Sequence, residues 1–285
     1  MNISKAFSLT KPGIAVLIDL VALTTFILGL KDASMAWKVI PLLASGTLAS
    51  FSSSLCNNFF DADIDGKMSR TRWRSAFINR KLYISSILIL LTSSLLISLI
   101  FLNLATTVWI LCGFLSYSIL YTVILKRRTQ WNIVIGGIAG SFPALAGWSS
   151  VNSPYSLVSI FVAVIVFLWT PTHFWTLAIK YRDDYSSANI PMLPSVRDES
   201  FTVRAIILNT VVLIAFSFSP LILGIRFPSL YYLLLIPISA YLIARVIMLE
   251  FRKRELKEVS FKAFLASNYY LSFFLFILVL TAVRF

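Results

Sequence analysis

The chain has 285 residues, of which 58% are hydrophobic and 13% charged, with a formal net charge of +13 and a mean hydropathy of +0.85. An ordinary soluble domain is about 45–50% apolar and about 25% charged, so these values exclude that class and predict a polytopic membrane protein. The positive charge does not point to nucleic acid, because the basic residues sit in short loops between apolar runs.

The N-terminus, MNISKAFSLTKPG, is basic and precedes an apolar run, as in a signal peptide. That run holds Asp19 and no small-residue cleavage site follows it, so an uncleaved first span is expected. At about 20 apolar residues per crossing, helices are predicted at 12–30, 36–62, 82–102, 106–125, 131–150, 156–180, 203–224, 228–250 and 261–283. The expected fold is all-α and integral to the membrane: nine transmembrane helices in a single bundle, one domain spanning residues 1–285. Cys56 and Cys112 both lie inside apolar runs and suggest neither a disulfide framework nor a thiolate metal site.

The basic residues set the register. Lys5, Lys11, the 67–81 loop, Lys126 to Arg128, the 180–204 loop and the 245–262 segment hold 21 of the 25 Lys and Arg; Lys31, Lys38, Arg226 and Arg284 fall on the other side. The positive-inside rule then places the N-terminus and the large polar loops in the cytoplasm and the C-terminus opposite. Breaks or kinks are expected at Pro143, Pro171, Pro220 and Pro237. An acidic cluster follows segment 36–62 and another follows 156–180. This suggests two similar halves around a central cavity open toward the cytoplasmic side.

The first cluster reads NNFFDADIDGKMSRTR from Asn57. If the helix continues, Asn57, Asp61 and Asp65 share one face while Asp63 points elsewhere. Carboxylates at a helix C-terminus oppose the macrodipole by about 0.3–1 kcal/mol each, so something positive must offset them. The candidates are the following Lys67, Arg70, Arg72 and Arg74 or a divalent ion, and hard oxygen ligands favour Mg²⁺. Carboxylates flanked by cations predict a diphosphate–metal site; a solvated, charge-balanced loop is the plain alternative. The second cluster, Asp183-Asp184 with Lys180 before it, would supply a facing cation site.

His173 is the single histidine, in WTPTHFW near the cytoplasmic half of its span. An intramembrane His is costly unless satisfied. It would serve as axial ligand to a haem iron, as general base, as hydrogen-bond donor, or as a structural group bonded to a neighbouring helix. Asp19 is similarly costly, with Lys11, a substrate or Asn268 as conceivable partners. Tyr117 and Tyr121 share a face leading into Lys126-Arg127-Arg128, where aromatic faces stabilise a carbocation or form an interfacial belt.

Asn57, Asp61 and Asp65 followed by Arg70-Thr71 match the Asn-x-x-x-Asp-x-x-x-Asp signature of the UbiA superfamily of intramembrane prenyltransferases, which the chain resembles. Within it, Thr10 to Gly13, Tyr121-Thr122 with Leu125 to Arg127, Asn132 to Gly137, Trp169 to Trp175, Asp183 to Tyr185 and Ile190 to Pro194 are similar to the haem-farnesylating members. The match runs to about residue 197. It departs from the superfamily at Ser187 and Ala188, which stand where a second Asp often lies, and at Trp73-Arg74-Ser75, where Arg-Pro is common.

The resemblance implies transfer of a farnesyl group from farnesyl diphosphate to a vinyl group of protohaem IX, with addition of water and loss of pyrophosphate. It further implies Mg²⁺ on Asn57, Asp61, Asp65, Asp183 and Asp184, and a diphosphate held by Lys11, Arg70, Arg72, Lys126, Arg127 and Lys180. Asp61, Asp65, Asp184 and His173 would be catalytic, Tyr117 and Tyr121 would face the prenyl cation, and His173 with Trp175 would bind haem. Both substrates would enter from the lipid bilayer, and a downstream haem-modifying enzyme or terminal oxidase would receive the product. Rival expectations are a UbiA-type enzyme with an aromatic or lipid acceptor, a transporter, and a haem-binding assembly factor.

Overall fold

The computed structural model describes residues 7–75 and 79–282. Lys5 and Arg284, used above in the charge count, and the last residue of the predicted 261–283 span lie outside them, as does part of the 67–81 loop. The described residues are helical and contain no strand. Among the described residues, eight helices are long and apolar enough to cross a membrane, which makes this a multi-pass membrane protein.

Sequence signals account for the ends of these helices. Helix α1 (Pro12–Gly29) starts with proline at its first turn, where the missing N–H is not needed. A 3₁₀ turn, Ala33–Lys38, capped by the Asp32 carboxylate, leads into α2 (Val39–Phe60). Asn79 caps α3 (Arg80–Phe101) and Asn103 caps α4 (Leu104–Leu125), each accepting from a backbone N–H three residues on. Ser156 and Ser159 cap α5 (Leu157–Lys180) reciprocally, and Asp198 caps α6 (Glu199–Ser217). The last two are α7 (Ser229–Phe251) and α8 (Leu256–Ala282).

Two predicted spans differ. Segment 131–150 is three pieces, Asn132–Gly136, Gly137–Gly140 (3₁₀) and Phe142–Ser149, with Pro143 in the first turn of the last. Helix α6 ends at Ser217, and Pro220 opens a separate turn, Pro220–Leu223, because proline lacks the N–H that would continue the helix. Pro171 and Pro237 lie inside unbroken helices.

Helix α5 is the most enclosed, packing on α6, α8 and the broken segment, whereas α3 is mostly uncovered. The main core lies among α5 to α8 around Phe161, Tyr231 and Phe274. Helix α8 also packs on α1, so the last helix meets the first. Helix α1 approaches the broken segment closely enough that a Cβ on Gly147 would collide with the Ala22 carbonyl oxygen and the Thr25 hydroxyl.

Candidate active site

At the end of α2 the backbone departs from helix at Asp61 (φ −93°, ψ 8°), yet the i to i−4 bonding continues. Asp61 N–H donates to the Asn57 carbonyl at 2.9 Å, and Asp65 N–H to the Asp61 carbonyl at 2.7 Å. The four-residue register therefore survives the break. Asn57, Asp61 and Asp65 are 5%, 1% and 5% exposed, whereas Asp63 faces solvent.

Three other parts of the chain converge on this face. From α4, Lys126 Nζ reaches Asp61 Oδ2 at 2.5 Å, and Asn57 Nδ2 donates to the same oxygen at 2.7 Å. Lys11, just before α1, donates to Asn57 Oδ1 at 2.5 Å and lies 3.4 Å from the Tyr117 hydroxyl. Burial foremost, with the Arg74 and Lys126 charges, pushes the Lys11 ammonium down to about 7. Arg74 lies 3.7 Å from Asp65 Oδ2. Asp61 Oδ1 and Asp65 Oδ2 are buried and accept no hydrogen bond among the described residues. Buried carboxylate oxygens without donors are costly. Hard anionic oxygens with unused lone pairs are the donor set that suits Mg²⁺.

The second half of α4, Ser116–Leu125, is a π-helix. Its wider turn brings Thr122 under Tyr117: Thr122 Oγ1 donates to the Tyr117 carbonyl at 2.8 Å and accepts from Asn57 Nδ2 at 3.1 Å. The Tyr117 and Tyr121 rings stack, with centroids 5.7 Å apart. Tyr121 lies against Gly136, where a Cβ would come within 2.6 Å of its ring. The absence of a side chain at Gly136 thus sets where Tyr121 rests.

The second acidic pair is differently engaged. Asp184 accepts from the Ser69 hydroxyl at 2.8 Å and the Ser69 N–H at 3.2 Å, and the Arg70 guanidinium lies 4.7 Å from the Tyr181 ring centroid. The loop after the first cluster therefore docks on the helix Arg182–Ser187. Asp183 is exposed and bonded to Lys257 of α8 at 2.7 Å. Arg127, expected at the diphosphate, grips Asp63 with two bonds of 2.8 and 2.9 Å, and Arg72 folds back on the Gly66 carbonyl. Consecutive side chains at the end of α4 diverge, so Lys126 enters the cluster and Arg127 leaves it.

His173 is buried in α5. Its Nδ1 lies 3.1 Å from Ser267 Oγ of α8, and its ring stacks on Trp169 at 4.2 Å. Trp175, expected beside it, is two residues on and turned to the other side of the helix, edge-on to Trp131 at 6.3 Å. Asp19 pairs with Thr47, whose hydroxyl donates to it at 2.6 Å; Lys11, one partner considered, is committed to Asn57. Sequence reasoning left out Arg74, Ser69, Thr122 and Lys257 as site residues. Arg74 carried a signal as one of the cations following the first cluster, and Thr122 as part of the Tyr121-Thr122 resemblance; the other two carried none.

A family model described as "UbiA prenyltransferase family" matches residues 20–268. The chain is 42% identical to "Protoheme IX farnesyltransferase 2" of Picrophilus torridus, covering 99% of each protein. Among solved structures, one of a digeranylgeranylglyceryl phosphate synthase superposes with a TM-score of 0.78 at 16% identity, covering 99% of both chains. A UbiA homolog from Archaeoglobus fulgidus bound to DMAPP and Mg²⁺ superposes with a TM-score of 0.66 at 12% identity, covering 95% of this chain and 97% of that one.

Proposed function

The chain belongs to the UbiA prenyltransferase family, and from that premise we propose that it transfers a farnesyl group from farnesyl diphosphate to a vinyl group of protohaem IX, yielding haem o and pyrophosphate. The observation that carries the donor half is the pair of buried carboxylates, Asp61 and Asp65, with unbonded oxygens inside a ring of Lys11, Lys126 and Arg74. The acceptor half rests on the protoheme-named relative, matched over nearly the whole chain, and on His173.

Lys126 and Arg74 balance Asp61 and Asp65, and Lys11, whose ammonium is pushed down to about 7, gains charge as an anion binds beside it. Mg²⁺ held by Asp61 and Asp65 would add two positive charges and offset the charge that develops on the diphosphate as it leaves. Lys11, Lys126 and Arg74 hold the diphosphate oxygens and stabilise the anion that forms as the C1–O bond breaks. Asp61 and Asn57 keep Lys126 and Lys11 aimed at it. The Tyr117 and Tyr121 faces stabilise the allylic cation and exclude water from it. The vinyl π pair then forms the bond to C1, water adds at the resulting cationic carbon, and its proton departs.

In the membrane the chain makes nine crossings, the broken segment 132–149 being the ninth. It forms one domain around a cavity, with its N-terminus and polar loops cytoplasmic and its C-terminus opposite; the 21-to-4 division of Lys and Arg supports this orientation. Asp184 holds the loop over the site, and the product passes to a downstream haem-modifying enzyme or oxidase. The test is to incubate the purified protein with protohaem, farnesyl diphosphate and Mg²⁺ and look by mass spectrometry for the hydroxyethylfarnesyl adduct. Prenylation of an aromatic or lipid acceptor with protohaem left unchanged would overturn the assignment.

A further inference from the structure

Two of the cations around the second acidic loop are already paired: Arg182 with Glu199 at 3.3 Å and Lys257 with Asp183 at 2.7 Å. Lys180 differs, making no ion pair among the described residues. Its ammonium lies 3.4 Å from the centroid of Phe261 and 5.6 Å from that of Tyr181. Phe261 stacks on Phe264 at 5.7 Å, Phe264 lies 4.6 Å from the His173 ring, and His173 stacks on Trp169. The seam between α5 and α8 is thus a continuous ladder of flat rings. His173 and Lys180 are seven residues apart, so they share a face of α5 with about 10 Å of rise between them.

Lys180 stands apart from the diphosphate cations in its contacts. Lys11, Lys126 and Arg74 each act on Asn57, Asp61 or Asp65, whereas Lys180 lies over the Phe261 and Tyr181 rings. Phe261, Phe264 and Lys180 all keep part of their surface uncovered. An apolar wall of rings, a ring nitrogen two turns deep and an ammonium at its outer end complement a flat, apolar macrocycle with carboxylates along one edge.

We propose that Lys180 binds a propionate carboxylate of the haem acceptor, and so selects the acceptor rather than holding the donor diphosphate. The assignment rests on protohaem being the acceptor. It separates the two substrates: the donor's head lies on the α2 cluster, and the acceptor's carboxylate edge lies at the top of the α5–α8 seam.

The experiment uses full-length protein in detergent, comparing wild type, Lys180→Met and Lys180→Arg. Soret titrations with protohaem and with its dimethyl ester give binding, and steady-state assays give KM for each substrate. Loss of one charge-assisted hydrogen bond should weaken protohaem binding by about tenfold to a hundredfold in Lys180→Met. The ester should bind wild type and Lys180→Met alike, Lys180→Arg should restore protohaem binding, and KM for farnesyl diphosphate should stay within about twofold. That retained KM also reports an intact fold. A rise in KM for farnesyl diphosphate with protohaem binding unchanged would return Lys180 to the diphosphate and overturn the proposal. Equal losses for acid and ester would reduce Lys180 to a packing role. A wild-type protein that binds and farnesylates no protohaem would instead remove the acceptor assignment itself.

Discussion

Asp61 and Asp65 on one side, and Asp183 and Asp184 on the other, are carboxylate pairs at corresponding turns of the chain, but their surroundings are opposite. The first pair is buried, surrounded by ammonium and guanidinium groups, and leaves Asp61 Oδ1 and Asp65 Oδ2 without hydrogen bonds. In the second, Asp184 is occupied by Ser69 and Asp183 by Lys257, the latter in solvent. Burying carboxylate oxygens without donors costs stability unless a ligand later meets them, whereas a solvated, bonded carboxylate carries no such cost. That cost is why we propose the first pair as the one that receives a ligand. In the second, Asp184 is a clasp that holds the loop carrying Arg70 against the helix Arg182–Ser187, while Asp183 pairs with α8.

The largest effect that follows is on Asp61. Replacing it with Asn keeps an acceptor for Lys126 but removes the charge that organises the cluster, and turnover should fall by about a hundredfold to a thousandfold. Chelating divalent ions from the wild type should likewise abolish turnover, with Mg²⁺ restoring it. Asp184→Ala comes next. Freeing Ser69 loosens the loop, which should raise KM for farnesyl diphosphate by about tenfold while kcat changes little, and Ser69→Ala should reproduce it. Asp183→Ala should stay within about twofold in both parameters, as expected for an exposed pair. A loss at Asp183 equal to that at Asp61 would erase the distinction between the pairs.

The contrast also shows which parts of the site the sequence carried. Asn57, Asp61 and Asp65 could be placed on one face because backbone bonds four residues apart fix that face even where the helix breaks at Asp61. Lys11, Lys126 and the stacked Tyr117 and Tyr121 also meet as their spacing and motifs implied. The partner of Asp65 was hidden: Arg74 reaches it only because the loop after Gly66 turns back, and no periodicity encodes that. The π-helical stretch Ser116–Leu125 has an ordinary apolar pattern, so the shift that seats Thr122 against Asn57 was likewise invisible. In the apolar run at 131–150 the proline marked the break at Pro143, whereas the 3₁₀ piece Gly137–Gly140 was not expected, because hydropathy counts residues and does not register how Gly136 and Gly137 divide the backbone.

Asp63 gives the smallest expected effect and the sharpest control, since it lies within the same motif yet is exposed and paired with Arg127 outside the buried cluster. Its carboxylate receives both Arg127 bonds at the protein surface, and those bonds hold it below its usual range. Because the folded-state value is the lower one, the pair's stabilisation is complete above the unfolded carboxylate value of about 3.9 and disappears as pH falls through the folded value. The side chains are 40% and 61% exposed, so solvent screening limits the contribution to at most about 1 kcal/mol. Asp63→Asn should therefore lower the thermal midpoint slightly at neutral pH, converge with wild type as pH falls through the lowered folded-state value, and leave turnover essentially unchanged. If Asp63→Asn instead lost activity as Asp61→Asn does, the α2 register that turns Asp63 away from the cluster would be wrong, and with it the separation of the buried cluster from the exposed Asp63–Arg127 pair.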